Sequence, residues 1–414
     1  MRIREKTLRV LFVSIAFPPK SDSEGLQVAK YFKYLVKDPS LKIDILTSSD
    51  STLFMSIDDN LKKLTDGYHQ IIKVHFFENK YINFLLRKID RDILNYPDSK
   101  FLFYKKWKSV VKQIKFKPDV IYSRSFPLSS TLMAYYLQKH FKVPWFLHLS
   151  DPWTLSPIHK LGKAKQWNEK MERMCFENAT CISFTSLKTI EVYSQKYPEF
   201  SSKILFFPNV FDTEEKKQQE YIFKDKIKVV YTGGLIADRS PEYLFKAIFK
   251  IQEEYPNILS DFEFIFAGAL DRKNNALFAQ YVPSVSHRGV LFFSETIELQ
   301  QSADLLLIID TPFKNNSDAL FFPSKLLDYM LAQRRILALT DKDSVTWNLV
   351  NGKLGNCLVH DDIDGIAHSL VTIWHEWKNR NISYFINGTI DMTYSAEHNA
   401  KRLASKLKEI VDEK

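Results

Sequence analysis

The sequence predicts an α/β protein with two doubly wound, Rossmann-like domains in tandem. Short apolar runs alternate with stretches of helical spacing along the whole chain, a pattern typical of parallel βαβ units. The alternation is interrupted once, by a polar and charged stretch at residues 209–228, and then restarts. A chain of 414 residues is also too long for one hydrophobic core. We therefore expect a first domain at 1–210, a second at 211–390, and a helix at 391–414 that packs back on the first domain.

Short apolar runs indicate the buried strands, and longer periodic stretches indicate the helices. In the first half, the predicted strands are residues 8–14, 42–47, 120–123, 145–149, 181–185 and 204–208. The predicted helices there are residues 25–36, 130–141, 163–178 and 187–197. In the second half, the predicted strands are residues 229–232, 262–267, 289–293, 305–309 and 336–339. The predicted helices there are residues 241–255, 296–302, 323–333 and 396–411.

The composition, 45% hydrophobic and 26% charged, is that of an ordinary globular protein. No apolar run approaches the roughly 20 residues that cross a bilayer. The first apolar run is too short, and too soon followed by Pro18-Pro19, for a signal peptide. The three cysteines, Cys175, Cys181 and Cys357, have neither metal-site nor disulfide spacing. We therefore expect a cytoplasmic protein in a reducing compartment.

The net charge of +9 is concentrated in residues 73–117, here called the basic aromatic segment. It holds twelve basic and four acidic residues, a balance of +8, together with ten aromatic residues. Three interpretations are open. The segment contacts an anionic membrane surface, where each Lys or Arg contributes about 1 kcal/mol. Alternatively, its aromatic side chains belong to the core below a solvated basic face, or it binds nucleic acid, although no known nucleic-acid-binding module is present.

Loops at the ends of three predicted strands carry groups that phosphates and sugars use. Glycine lets a backbone approach an anion closely, and arginine offers a forked pair of donors. Each feature alone is also typical of a plain turn, but in open parallel sheets ligands bind at this edge. The candidate positions are Gly25 after the first strand, His148 and Asp151 at the fourth, and Gly233, Gly234 and Arg239 after the strand at 229–232.

A helix is predicted to begin near Pro323 or Ser324, because proline suits the first helical turn and serine can cap it. Lys325 then lies in the first turn, where the helix dipole disfavours a cation. Either an anion shares the site with Lys325, since helix starts bind phosphates, or the lysine is an ordinary solvated residue.

These motifs give the chain a resemblance to a known family. The matching stretches are the Gly25 loop, KPDVIY at 117–122, VP…H at 143–148, YTGG at 231–234 with Arg239, and, most specifically, PSKLLDYM at 323–330. Together they resemble the retaining glycosyltransferases of family four, of the bacterial surface-polysaccharide type, over nearly the whole length. The resemblance implies a GT-B fold, in which two Rossmann-like domains face a central cleft.

The resemblance also implies roles for individual residues. Lys325 and Arg239 would bind the diphosphate of a nucleotide sugar, most simply a UDP-sugar, with help from the Gly233 and Gly234 backbone. Ser324 and Asp328 would contact the same donor, with Asp328 at the ribose. His148 would lie beside the donor sugar.

Asp151 is expected to orient His148 or to bind an acceptor hydroxyl. With Lys325, Arg239 and helix starts stabilising the leaving diphosphate, no metal and no further cofactor are expected. The Asp-x-Asp pairs at 90–92, 341–343 and 362–364 are interpreted as surface residues.

Two positions depart from the family pattern. The family often has two glutamates separated by seven residues, whereas this chain has Leu320 and Asp328 at these positions. Leu320 cannot bond a sugar hydroxyl, so Asp318 or backbone groups would contact the sugar instead. Gly234 stands where many members have an arginine, which leaves more of the phosphate charge to Arg239 and Lys325.

Three hypotheses follow. The first is a glycosyltransferase that uses a lipid-linked or polysaccharide acceptor at the cytosolic face of the membrane, with which it associates peripherally. The second is a nucleotide-sugar epimerase of GT-B architecture, which we expect to present more acidic and histidine residues in its cleft. The third is a non-catalytic nucleotide- or sugar-binding scaffold, suggested by Leu320 and Gly234.

Overall fold

A computed structural model describes residues 7–50, 52–53, 55–156, 161–216, 221–280, 284–314, 320, 322–387 and 390–413. The chain forms two compact units. The first unit comprises residues 7–212 together with 393–413, and the second unit comprises residues 213–392.

The first unit is built on a seven-stranded parallel sheet in the order β3-β2-β1-β4-β5-β6-β7. Its strands are β1 (Leu8–Val13), β2 (Leu41–Ser48), β3 (Gln70–Val74), β4 (Val120–Ser125), β5 (Trp145–Leu149), β6 (Cys181–Phe184) and β7 (Ile204–Phe206). Its helices up to the second unit are α1 (Ser23–Leu35), α2 (Lys80–Ile89), α3 (Leu102–Lys105), α4 (Trp107–Val111), α5 (Ser129–Phe141), α6 (Lys165–Asn178) and α7 (Leu187–Lys196). Strands β4 and β5 are buried throughout because helices cover both faces of the sheet.

The second unit repeats this architecture on a six-stranded parallel sheet in the order β10-β9-β8-β11-β12-β13. Its strands are β8 (Ile227–Thr232), β9 (Phe262–Ala267), β10 (Val285–His287), β11 (Leu305–Ile309), β12 (Arg335–Leu339) and β13 (Gly355–Leu358). Its helices are α8 (Glu242–Glu254), α9 (Arg272–Phe278), α10 (Phe293–Gln301), α11 (Lys325–Ala332), α12 (Val345–Val350), α13 (Ile363–Lys378) and α14 (Ile382–Phe385).

The last helix, α15 (Ala396–Asp412), belongs to the first unit and packs against α1. Its buried side chains, among them Leu403 and Leu407, join a hydrophobic core that includes Val28 and Phe32 of α1. Lys408 at the far end of α15 pairs with Asp38, with 2.9 Å between its Nζ and the carboxylate.

The predicted doubly wound α/β fold is confirmed for both sheets. The predicted strand at 289–293 is wrong. The strand lies earlier, at β10, while Val290 and Phe292 are 77% and 63% exposed and Phe293 begins α10. The apolar side chains that suggested a buried strand therefore lie at the surface.

In both sheets the strand order reverses beside the first strand of the unit, between β1 and β4 and between β8 and β11. At such a point, the loops that follow the two neighbouring strands lead to opposite faces of the sheet and leave a crevice between them. Ligands of open parallel sheets bind in this crevice. Both groups of predicted site residues lie at or next to these two points.

Candidate functional sites

Gly233 makes the turn that leaves β8 in the second unit. Its φ of +128° is one that residues with a side chain rarely adopt. A Cβ on Gly233 would lie 2.7 Å from the Nζ of Lys325 and 3.1 Å from its Cε. Gly268, at the end of β9, has a φ of +137°, and its Cβ would lie 2.1 Å from the Gly233 carbonyl oxygen. The absence of side chains at both glycines thus lets the turn pack closely and brings its backbone against Lys325.

Lys325 is the first residue of α11, and its ammonium group is buried while part of its stem is exposed. Among the described residues, Nζ has no hydrogen-bond partner. It lies 4.0 Å from the centroid of the Tyr231 ring. Burial, and then the charge of Arg239, hold the pKa of Lys325 well below its usual value, while Asp310 acts in the opposite direction. An anion bound here would stabilise the positive charges of both Lys325 and Arg239, so the arrangement is that of an anion-binding site.

The loop that carries Arg239 is fixed by the start of α9. Asn274 is fully buried, and its side-chain amide donates to the carbonyl oxygens of Leu235 and Arg239 at 3.0 and 3.3 Å. Asp271 accepts from the backbone N–H of Ala237 at 2.7 Å. Arg239 is therefore held close enough to Lys325 for its charge to lower the pKa of that lysine.

A buried hydrogen-bond network connects α11 to the glycine turn. The Tyr329 hydroxyl accepts from the Thr232 N–H at 3.0 Å and lies 3.2 Å from the Leu307 carbonyl oxygen. The Thr232 hydroxyl in turn accepts from the Gln300 amide at 2.8 Å. These bonds fix the helix that carries Lys325 relative to the end of β8. The sequence motifs predict no role for Tyr329. Its signal in the sequence is a tyrosine within an apolar helix face, because a buried tyrosine hydroxyl needs a hydrogen-bond partner.

Other predicted donor-site residues are placed less specifically. Ser324 occupies the position before α11, but its backbone is already helical (φ −57°, ψ −31°) and its side chain makes no capping hydrogen bond. The expectation that Ser324 caps the helix is therefore wrong, since a capping side chain needs an extended backbone. Asp328 lies partly exposed one turn into α11, and Leu320 is 3% exposed. Asp318, the suggested alternative sugar contact, lies outside the described residues.

Gly234 differs from Gly233 in its surroundings. It has no left-handed backbone, and the nearest atom to a Cβ placed there is the flexible end of the exposed Ile236 side chain, at 3.3 Å. The backbone does not require glycine at this position, so a longer side chain fits after a small shift of Ile236.

In the first unit, a buried ion pair lies at the reversal of strand order. Arg124 on β4 is fully buried and donates from Nε to Glu24 at 2.7 Å and from Nη2 to the Asn209 side chain at 3.0 Å. Glu24, in the first turn of α1, also accepts from the Ser150 hydroxyl at 2.5 Å. Burial raises the pKa of Glu24 to about 7, against the opposing charge of Arg124. Neither residue was predicted as a site residue, although a charged side chain within a buried strand such as β4 is a usable signal.

His148 lies on β5 next to Arg124 on β4, at the paired register position, and is 1% exposed. Its Nδ1 lies 2.9 Å from the Ser183 hydroxyl, and its Nε2 is buried. Burial, and then the charge of Arg124, hold the pKa of His148 well below its usual value. The imidazole is therefore neutral at physiological pH and is suited to hydrogen bonding rather than to carrying charge.

Asp151 follows β5 and lines a cavity of about 960 Å³ that lies wholly within the first unit. Burial raises the pKa of Asp151 to about 6. Glu24 and Asp22 line the same cavity, as do Arg87 of α2 and Arg91, which follows that helix. Burial also raises the pKa values of Asp22 and Asp98 in this cavity. Of these carboxyl groups, Glu24 and Asp151 can hold or exchange protons near neutral pH.

Gly25 is the third residue of α1, and its N–H donates to the Asp22 side chain at 2.8 Å. A Cβ at Gly25 would lie 2.1 Å from the carbonyl oxygen of Lys20. Close packing of α1 against the preceding loop therefore requires glycine here, and a substrate contact by Gly25 stays a prediction.

The structure thus collects Gly233, Lys325 and Arg239 in the second unit, and His148, Asp151 and Gly25 around the reversal point of the first. No group of metal-binding side chains was found among the described residues. Nor is any helix in that part of the chain long and apolar enough to cross a membrane.

Comparison with solved structures gives full-length matches at low identity. Sucrose-phosphate synthase from Thermosynechococcus elongatus has a TM-score of 0.61 and 14% identity over 98% of this chain and 97% of its own. A putative UDP-N-acetylglucosamine 2-epimerase from Listeria monocytogenes has a TM-score of 0.62 and 10% identity over 99% and 98%. Anabaena HepE in complex with UDP and glucose has a TM-score of 0.57 and 13% identity over 98% of each chain.

A scan against protein-family models and a search of curated proteins each give no match. At the identities above, likeness to solved structures establishes the fold alone. The chain has the GT-B fold, as the sequence motifs implied.

Proposed function

We propose that this protein transfers a sugar from a nucleotide-diphosphate donor, most simply a UDP-sugar, to a hydroxyl group of an acceptor. The observation that carries the proposal is the buried Lys325 ammonium, which lies against the Gly233 turn and lacks a hydrogen-bond partner among the described residues. Burial and the charge of Arg239 lower the pKa of this lysine. Several proteins of this fold were solved with UDP or a UDP-sugar, including HepE with UDP and glucose and a Neisseria meningitidis epimerase with UDP-GlcNAc.

In the proposed reaction, the acceptor hydroxyl oxygen forms a bond to the anomeric carbon as the bond between that carbon and the diphosphate oxygen breaks. The electron pair of the broken bond goes to the diphosphate, and the hydroxyl proton passes to Asp151. Lys325 and Arg239 stabilise the negative charge that grows there, which is the largest contribution such a site can make. We also propose that these two cations act without a divalent metal and that the anomeric configuration is retained, as the family resemblance implies. Turnover that persists in EDTA and an unchanged anomeric configuration in the product are the expected results.

For the acceptor, we propose the cavity of the first unit. Its volume of about 960 Å³ is sufficient for a sugar-sized ligand. Asp151 would accept a hydrogen bond from the acceptor hydroxyl, and the neutral His148 would contribute a further hydrogen bond beside it. We propose a lipid-linked or polysaccharide acceptor in cell-surface glycan synthesis, with the protein held peripherally at the cytosolic membrane face. The charge of the basic aromatic segment supports this assignment.

A second candidate function is nucleotide-sugar epimerisation. The raised pKa values of Glu24 and Asp151 favour it, because abstraction and return of a proton at carbon need such carboxyl groups. Two epimerases are also among the structures with this fold. The third hypothesis, a non-catalytic scaffold, is favoured by the buried Leu320 and by Gly234.

Product analysis by mass spectrometry and NMR separates these functions. The purified full chain is incubated with a panel of UDP-sugars, with and without a membrane lipid extract as the source of acceptor. Release of UDP that depends on the extract, with the sugar recovered on lipid, is the expected result. A new epimer formed without extract would establish the second candidate. The absence of turnover combined with retained UDP binding would favour the scaffold and contradict the transferase.

A further inference from the structure

The structure divides the basic aromatic segment into two parts with different surroundings. Phe103 and Tyr104 are buried in the core of the first unit, and Trp107 packs against that core. In contrast, Phe77 is 65% exposed, and none of the side chains of α2 is buried. The core interpretation therefore applies to residues 101–107, whereas residues 77–89 present their apolar groups to the outside.

Helix α2 is well formed although no core holds it. Asn79 caps its start, and the side-chain oxygen accepts from the N–H groups of Tyr81 and Ile82 at 2.9 and 3.2 Å. Its exposed apolar side chains lie within one arc of the helix, and each is more than two-fifths exposed. They are Tyr81 (68%), Ile82 (42%), Phe84 (60%), Leu85 (58%) and Ile89 (81%). An isolated helix of ten residues is marginal in water, and such an arc normally lies against an apolar phase.

The charged residues of α2 itself are all basic. Lys80 and Lys88 lie over the rings of Tyr81 and Phe84, with 5.1 and 5.3 Å from each Nζ to the ring centroid. Arg87 and Arg91 are exposed, and neither forms an ion pair with another described residue. The acidic residue before the helix, Glu78, is neutralised by the nearly buried Lys100. A bilayer that carries anionic lipid complements both the apolar arc and this charge.

We propose that α2 docks the protein on the surface of an anionic bilayer, with its apolar arc inserted among the lipid head groups and its cations against the phosphates. Arg87 and Arg91 also line the cavity of the first unit. Docking therefore sets the cavity beside the bilayer, and a head group can enter it without leaving the membrane. The identification of that head group as part of the acceptor rests on the proposed function; the docking itself does not.

Vesicle flotation of the full chain tests the docking. The probes are vesicles of phosphatidylcholine alone and vesicles of phosphatidylcholine with phosphatidylglycerol. The wild type should float with the anionic vesicles and remain behind with the neutral ones. A variant with Tyr81→Ser, Leu85→Ser and Ile89→Ser should lose at least about tenfold in partitioning. A variant with Lys80→Gln and Lys88→Gln should bind more weakly than the wild type at low salt, and this difference should shrink as salt is added.

The matched control replaces three equally exposed apolar residues elsewhere by serine: Leu187, Ile222 and Val290, which are 67%, 72% and 77% exposed. The control variant should float like the wild type. Equal flotation of the α2 variant, or no flotation of the wild type, would overturn the proposal. In the latter case, a dimer that is lost in the α2 variant would assign the face to a second copy of the chain.

The proposal and the proposed function fail in different experiments. The serine variant of α2 should keep the wild-type thermal shift with UDP, whereas Lys325→Met should lose half or more of that shift and keep flotation. Flotation without any UDP-dependent shift would therefore count against the transferase and leave the docking assignment standing.

Discussion

Replacement of Lys325 by methionine should stabilise the ligand-free protein. A buried polar group without a partner costs about 1–3 kcal/mol, and methionine keeps the stem of the side chain and its contact with the Tyr231 ring. The substitution also removes the cation–π contact, in which Nζ lies 4.0 Å from the ring centroid. This loss lowers the stability by about 0.5–1 kcal/mol. We therefore expect a net gain of about 1 kcal/mol in the free energy of unfolding of the second unit.

The same substitution should remove most of the response to UDP. For the wild type, UDP at about 100 times its Kd adds about 2.7 kcal/mol. For a unit the size of residues 213–392, this corresponds to a rise in Tm of about 5–10 °C. A charge-assisted hydrogen bond to phosphate contributes about 1.5–3 kcal/mol. At the same UDP concentration, the Tm shift of Lys325→Met should accordingly fall to about half or less.

The pH dependence gives an independent check. Because the pKa of Lys325 is lowered in the folded state from an ordinary value of 10.5, the folded protein binds fewer protons than the unfolded chain between the two pKa values. Wild-type stability therefore rises with pH across that window, and the penalty for the buried ammonium is largest below it. The stability advantage of Lys325→Met should be greatest at low pH and should shrink as the pH approaches 10.5.

Differential scanning fluorimetry and urea unfolding, with and without UDP, measure both effects. Lys165→Met is the matched control, because Lys165 also begins a helix, α6, but its side chain is 65% exposed. Its stability should change by less than about 0.5 kcal/mol and its UDP shift should be unchanged. A less stable Lys325→Met protein with a normal UDP shift would refute the reasoning and make Lys325 a structural residue.

Four further variants probe other parts of the two sites. Gly233→Ala should abolish the UDP shift, because its Cβ meets Lys325. Gly234→Arg should fold normally and tighten UDP binding by about 5–10-fold. Calorimetry with UDP compares the two variants, and equal affinities would contradict the different roles of the two glycines. Tyr329→Phe removes the hydroxyl that bonds the Thr232 N–H, and should cost the second unit about 1–3 kcal/mol in urea unfolding. Asp151→Asn removes a carboxyl whose pKa is raised to about 6, so it should stabilise the protein by about 1–3 kcal/mol at pH 8 and by nothing below pH 4; a gain that is independent of pH would exclude this cause.

Much of the fold follows from local patterns. The strands at 145–149, 262–267 and 305–309 were predicted to the residue, because each is a short, fully or nearly fully apolar run bounded by turn residues. Strand β3 (Gln70–Val74) was missed, since it lies at the sheet edge and only two of its residues are buried. The predicted strand at 289–293 failed for the opposite reason, because exposed apolar residues give the same local signal as buried ones.

The sites could be predicted only in part. The glycine turn and the lysine at a helix start are visible in the sequence, but their contact depends on the adjacency of β8 and β11 and on the direction of the Lys325 side chain. The pair of Glu24 and Arg124 joins residues a hundred positions apart, and no local pattern relates them. The cavity is formed by loops from several parts of the first unit, whose geometry is set by tertiary packing.

The position of α15 has a consequence for synthesis. The first unit is completed by residues 393–413, whereas the second unit is continuous in sequence. As the chain emerges from the ribosome, the second unit can therefore finish folding before the first. Until α15 arrives, the face of α1 that includes Val28 and Phe32 lacks its cover of Leu403 and Leu407. Nascent chains should therefore expose that face to chaperones until α15 has been synthesised.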